Sequence, residues 1–238
     1  MGFKILLLNL INEIADPSVI QSAILTLRVV IATFFCHLIL GALLGWALAQ
    51  KKWFGRTLLD IIITLPLIFP PMALGFFLLL LLGRNGYIGK FLNNVFSINL
   101  IFSIEAVILA SVIAGLPLVV KPVEAAIRNL PKSLCEASYT LGHSRLATFF
   151  FVILPNIKGA FIAGLILATA RAMGEVGITL MLGGNILGRT NTISLEIYNA
   201  VFNTDYDRAL ALSLLLAVIS MLIFILMRIF TRNDLQKH

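Results

Sequence analysis

Few side chains in this 238-residue sequence are of the types that make or break bonds, and none is spaced for it. His37, His143 and His238 stand far apart with no cluster of Asp and Glu around them, so neither a metal centre nor a nucleophile–base pair has a scaffold. Cys36 and Cys135 lack metal or redox spacing. The phosphate-cradling pattern Gly-x-x-x-x-Gly-Lys-Ser/Thr is absent, so the chain is not expected to hydrolyse ATP itself. No catalytic residue, no metal and no bound cofactor are therefore expected. The groups that remain are suited to holding or bending helices. Arg171 and Glu175, four residues apart, can pair on one helical face. Pro66, Pro70 and Pro71 each remove a backbone donor and clash with the preceding turn, so a helix through them should kink or break. Gly174 and Gly177 flank Glu175 and permit bending or close helix approach.

The elements that must position these groups follow from composition. The chain is 60% hydrophobic and 12% charged, with a mean hydropathy of +1.02. Soluble domains run at about 45–50% apolar and about 25% charged. The excess lies in five long runs, roughly Gln21–Ala49, Leu58–Leu82, Asn99–Val120, Gly159–Leu182 and Asp207–Ile229. A helix needs about 20 apolar residues to cross a bilayer. The expectation is an all-α integral membrane protein with five transmembrane helices and its termini on opposite sides. One set of connections carries Lys51, Lys52, Arg56, Lys121, Arg128, Lys132, Arg145, Lys158, Arg228, Arg232 and Lys237, eleven in all. The other carries Lys4, Arg84, Lys90, Arg189 and Arg208. The basic-rich set should be cytoplasmic, which puts the N-terminus outside and the C-terminus inside. The net charge of +7 is then a topology signal, and no nucleic-acid partner is expected. Residues 1–20 read as an external segment, 21–230 as one transmembrane domain and 231–238 as a cytoplasmic tail. There is no internal repeat.

The connection 121–158 is too long for a simple turn, and its apolar residues recur at helical spacing. Pro131 suits the first turn of a helix on which Leu134, Ala137, Ser138 and Leu141 share a face, and Gly142 should end it. Ser144 can cap a second helix, Arg145–Leu154, ended by Pro155. By pattern alone this is either an interfacial anchor or a segment gripped by a partner.

Glu136-Ala137-Ser138, then Gly142, then Val152-Ile153-Leu154-Pro155 resembles the EAA motif of ATP-binding cassette importer permeases. Ser138 replaces the third Ala and Val152 the usual Ile. Leu65–Pro71 with Gly75, and Ala170–Gly177, resemble signatures of the molybdate and sulfate branch of those permeases. The outer segment Gly184–Thr192 is similar to that of molybdate permeases, with Leu187 where a Pro is common.

The resemblance implies a type I importer permease fold, in which Glu136, Ala137, Ser138, Gly142, Leu154 and Pro155 belong to a cytoplasmic coupling segment spanning 131–155. It implies a membrane subunit that moves molybdate, or its relatives tungstate or sulfate, across the bacterial inner membrane. The partners implied are a second copy of the chain, two cytoplasmic ATPases, an external or periplasmic oxyanion-binding protein and membrane lipid. A self-contained secondary transporter would instead show repeats and intramembrane coupling charges. Candidates for the path or gate are Pro66, Pro70, Pro71, Arg171, Gly174, Glu175 and Gly177. The proline break is either a hinge or a static kink. Arg171 either attracts the anion or forms a structural pair with Glu175; its neutralisation by Glu175 favours the latter. The apolar-periodic stretch around Ile193–Phe202 is expected as a re-entrant or surface helix that touches a binding protein or fills space between spans.

Overall fold

The computed structural model describes residues 13, 16–50 and 53–235, with side chains as far as 228. Most of the expected external segment 1–20, Lys51 and Lys52, and the end of the tail lie outside the described residues. Among the described residues every regular element is helical.

Helix α1 (Pro17–Ala49) opens where the Asp16 carboxylate accepts the Ser18 N–H at 2.8 Å and Pro17 takes the first position, where a missing donor costs nothing. Its buried positions Thr26, Val30, Thr33, His37, Gly41, Gly45 and Leu48 recur every three or four residues. That stripe faces the central helix α5 (Ile104–Arg128), which is 61% buried over its most apolar stretch against 11% for the last helix. A Cβ on Gly41 would lie 2.6 Å from Val119 Cγ2, so the Val119 side chain of α5 packs directly on the backbone of α1. His37 is fully buried in this seam and its Nε2 donates to the Val112 carbonyl at 3.0 Å.

The expected span Leu58–Leu82 is not one helix. It is α2 (Arg56–Ile68) and α3 (Pro71–Leu82), separated at Phe69–Pro70. Pro70 and Pro71 together deny the backbone two consecutive donors, and Pro71 restarts a helix at the position that tolerates it. Among the described residues, four helices by themselves are long and apolar enough to cross a membrane, namely α1, α5, the stretch Arg145–Met173, and α11 (Tyr206–Leu235) over Tyr206–Arg228. A fifth crossing is reached by joining α3 with α4 (Tyr87–Phe96), which meet at 44°.

Other boundaries move for physical reasons. The third span starts at Ile104 rather than Asn99, because Ser103 accepts the Ala106 N–H and caps it. It runs past Val120 to Arg128, into the segment read as connection. Helix α6 (Lys132–Thr140) is followed by α7 (Arg145–Thr148), a π-turn (Phe149–Ile153) and α8 (Leu154–Met173) in one continuous rod. After a break at 174–176 come α9 (Gly177–Gly183) and α10 (Ile193–Phe202), the latter with the expected bounds. The expected fourth span Gly159–Leu182 is thus split between α8 and α9.

Three apolar cores hold the rods together among the described residues; the smallest joins Val19 of α1, Ile193 of α10 and Leu212 of α11, and the other two are larger. One gathers Leu48, Ile63, Val119, Val123, Phe149, Phe161 and Leu165 from α1, α2, α5 and the π-turn rod. The other gathers Leu74, Ala106, Ala110, Ile178 and Leu182 from α3, α5 and α9. Large apolar side chains stay exposed elsewhere, Ile68 at 75% and Met221 at 61% among them, as expected of helices whose solvent is a bilayer.

Candidate coupling segment and translocation break

The candidate coupling segment is built around a helix stop. After α6, Gly142 takes φ +83°, its N–H donates to Tyr139 O at 3.0 Å, and His143 N–H donates to Ser138 O at 3.2 Å. This pair of bonds is a Schellman closure, and the left-handed residue it needs is most easily glycine. Ser144 then caps the next rod by accepting the Ala147 N–H at 3.2 Å. Of the four residues expected on one apolar face, only Ser138 is buried; Leu134, Ala137 and Leu141 are exposed. Ser138 Oγ lies 2.9 Å from Thr148 Oγ1 and 3.3 Å from His143 Nδ1, tying α6 to the rod behind it. Ser138 is thus a hydrogen-bonded anchor, beyond the size match that the sequence showed.

Pro155 does not end the second helix. The chain widens just before it, with Leu154 N–H donating to Phe149 O, five residues back. That π-turn makes room for the proline ring and lets the rod continue to Met173. Leu154 packs on the apolar core below, while Pro155 and Glu136 are exposed. Between α6 and the ends of α1 and α5 lies a groove of about 980 Å³, lined by Trp46, Gln50, Arg56, Arg128, Lys132, Glu136, Tyr139 and Arg145.

Of the path candidates, Pro71 and Gly177 meet beside the other core. The Phe69–Pro70 break stands against the 174–176 break. A Cβ on Gly177 would lie 2.7 Å from Pro71 Cβ and 3.0 Å from Met72 N. One on Gly75 would lie 2.9 Å from Ile178 Cα. Arg171 and Glu175 do pair, Nη1 to Oε2 at 2.7 Å, but not along one helix, since α8 ends at Met173. Glu175 is bent under the start of α9, where its Oε1 accepts the Ile178 N–H at 2.7 Å. Its side chain is 1% exposed, against 35% for Arg171. Pro66 lies inside α2 and Gly174 forms the end of α8.

On the outer-segment side, α10 buries Ile193 and Leu195 and leaves Tyr198 and Phe202 exposed, so it both fills space and offers a face. Its Glu196 pairs with Arg208 of α11 at 2.7 Å, and Arg208 reaches Asp16 at 3.1 Å. Asp16 is held below the ordinary carboxylate range, first by the Ser18 N–H, then by the Ser18 hydroxyl, with Arg208 adding to both. No spacing in the sequence joins Asp16, Glu196 and Arg208; a second ion cluster lies around Glu124 of α5, with Lys121 and Arg128. The spacing Lys121-x-x-Glu124-x-x-x-Arg128 would have revealed the second had the helix been carried past Val120.

Broken, closely packed spans with a helix–elbow–helix segment agree with the membrane-spanning permease subunit of a transporter of the ATP-binding cassette class. The chain belongs to the family of binding-protein-dependent transport system inner membrane components, whose model matches residues 37–233. It is 35% identical to the molybdenum transport system permease protein ModB of Haemophilus influenzae, over 90% of this chain and 93% of that one. It is 33% identical to the probable transport system permease protein NifC of Clostridium pasteurianum, over 95% and 79%. It is 31% identical to the sulfate transport system permease protein CysT of Salmonella typhimurium, over 94% and 79%. In fold it is similar to a chain of a bacterial alginate transporter of the same class, solved with an alginate pentasaccharide-bound periplasmic protein. The TM-score is 0.78 at 17% identity, covering 94% of this chain and 81% of that one.

Proposed function

We propose that this chain is the membrane subunit of an ATP-driven molybdate importer, working as a pair of identical copies on two cytoplasmic ATPases. The observation that carries the substrate is the end-to-end likeness to a molybdenum permease. An external oxyanion-binding protein delivers the anion, ATP binding closes the ATPases and turns the pore outward, and hydrolysis resets it. The bilayer orientation follows the eleven-to-five basic asymmetry, with the coupling segment inside.

In this reading α6 seats on an ATPase through its exposed Leu134, Ala137 and Leu141, with Glu136 beside them. Gly142 and the Ser138–Thr148 bond fix its angle to the rod, and Leu154 and Pro155 carry the push into α8. Pro70 and Pro71 give the break between α2 and α3 its hinge, with Pro66 inside α2, and Gly177 gives the facing break, which Gly174 opens, its clearance. Arg171 and Glu175 are a structural pair that holds the start of α9. The exposed apolar faces of α2, α3 and α11 are the surfaces left for a second copy and for lipid.

Proteoliposomes holding this permease with its ATPase and binding protein should accumulate radiolabelled molybdate only with ATP inside. Excess tungstate should compete and sulfate should not. Competition by sulfate alone would transfer the assignment to sulfate, the reading that the 31% identity to a sulfate permease supports.

A further inference from the structure

Between the coupling segment and the broken span lies a buried carboxylate that belongs to neither. Glu124, near the end of α5, is 9% exposed at its side chain and receives three cations. Arg128 and Arg56 approach Oε1 at 2.6 and 3.2 Å, and Lys121 approaches Oε2 at 3.1 Å. Lys121 also contacts Asp60 of α2. Arg56 Nε and Arg128 Nη2 donate to the Leu48 carbonyl at 2.9 and 3.1 Å. Three cations face two carboxylates, and the surplus charge rests on a carbonyl in the last turn of α1, the negative end of its dipole. One side chain thereby gathers the ends of three helices.

Stability alone is a poor account of this cluster, because apolar packing of equal volume usually serves as well as a buried ion group. Its placement suggests another role. Helix α2 is short, begins at Arg56, and ends at the Phe69–Pro70 break, and Ile63 is its one buried residue. Its apolar hold is Ile63, with Leu59 and Leu65 half-buried against the two cores. Arg56 and Asp60 add the charged hold on α5, at the end of α2 away from the break. Arg56 and Arg128 also line the groove whose opposite wall carries Lys132 and Glu136 of α6.

We propose that Glu124 is a positioning residue for coupling. It clamps the start of α2 to α5, so that displacement of α6 is delivered to the Phe69–Pro70 break. The inference rests on the importer function proposed above.

The test uses the complete complex in proteoliposomes and reads molybdate moved per ATP hydrolysed. Glu124→Gln keeps the shape and removes the charge. With the complex assembled, that ratio should fall about tenfold, within the span of ordinary coupling free energies. Hydrolysis should also stop responding to the loaded binding protein. An unchanged ratio would overturn the proposal, whatever the yield of complex. If Glu124→Gln does not assemble, the ratio is read on Glu124→Asp, which keeps the charge but withdraws it by one methylene. A lowered ratio there supports the clamp and an unchanged one refutes it. A wild-type complex whose hydrolysis ignores the loaded binding protein would refute the importer reading, and this inference with it; an unchanged ratio in the variant refutes the inference alone.

Discussion

Removing the guanidinium of Arg171 should expose what Glu175 is for. In the folded protein the carboxylate is 1% exposed and has two partners, Arg171 at 2.7 Å and the Ile178 N–H at 2.7 Å. Breaking a buried pair by deleting one partner costs about 3–5 kcal/mol. Two features reduce that here. Arg171 is 35% exposed, so solvent already screens part of the attraction. The amide of Ile178 also still serves the stranded carboxylate. Arg171→Ala should therefore lose about 2–3 kcal/mol.

The second half of the cycle separates the two partners. Glu175→Ala in the Arg171→Ala background relieves the stranded charge but removes the cap of α9. Glu175→Gln relieves the charge and keeps an acceptor for Ile178. The Arg171→Ala, Glu175→Gln double variant should recover most of the loss, and the double alanine variant about 1 kcal/mol less. Thermal unfolding followed by fluorescence-detected gel filtration in mild detergent reads the order. At about 2–4 °C per kcal/mol for a chain of this length, Arg171→Ala should fall by about 4–12 °C. The reasoning fails if Arg171→Ala is as stable as wild type, or if the two double variants are indistinguishable. Wild-type stability with transport selectively lost would move Arg171 from a structural role to the anion path.

Gly142→Asp should insert and dimerise normally, since nothing lies within 4 Å of a Cβ there and the left-handed backbone costs about 1 kcal/mol. It should nevertheless abolish uptake, with co-purification of the ATPase weakened; normal transport with the ATPase firmly attached would refute the coupling role. Gly177→Leu should separate α3 from α9, because even its Cβ would press on Pro71 Cβ at 2.7 Å; overpacking of this kind costs about 1–3 kcal/mol, and an unshifted melting temperature would contradict the contact. The Asp16 carboxylate titrates below its usual value of 3.8 in the fold, so it stabilises the native state above that value. Its contribution should be lost as pH falls through 3.8 and below, and the stability difference between wild type and Asp16→Asn should shrink over that acid range while staying constant near neutrality.

Much of this protein is written locally in its chain. Long apolar runs exclude a water-soluble fold because about 30 Å of hydrocarbon dictates their length. The Gly142 elbow is legible because only a few residues near it decide a left-handed stop. The proline break is legible for the same reason, although which residue parts the helix was decided at Phe69–Pro70 and not at Pro66. Other features depend on neighbours far away in sequence. That Pro155 does not end its helix followed from a π-turn that packs Phe149 and Ile153 into a core shared with α1 and α5. The bend of Glu175 beneath α9 follows from the meeting of two breaks about a hundred residues apart, where Gly177 lies on Pro71. The cluster around Glu124 joins charges separated by 68 and 61 positions. Spacing along one helix shows Lys121, Glu124 and Arg128 as neighbours. Only the packing of α2 against α5 brings Arg56 and Asp60 to them, because a buried carboxylate draws cations from a neighbouring helix as well as its own, and that neighbour is set by the tertiary fold.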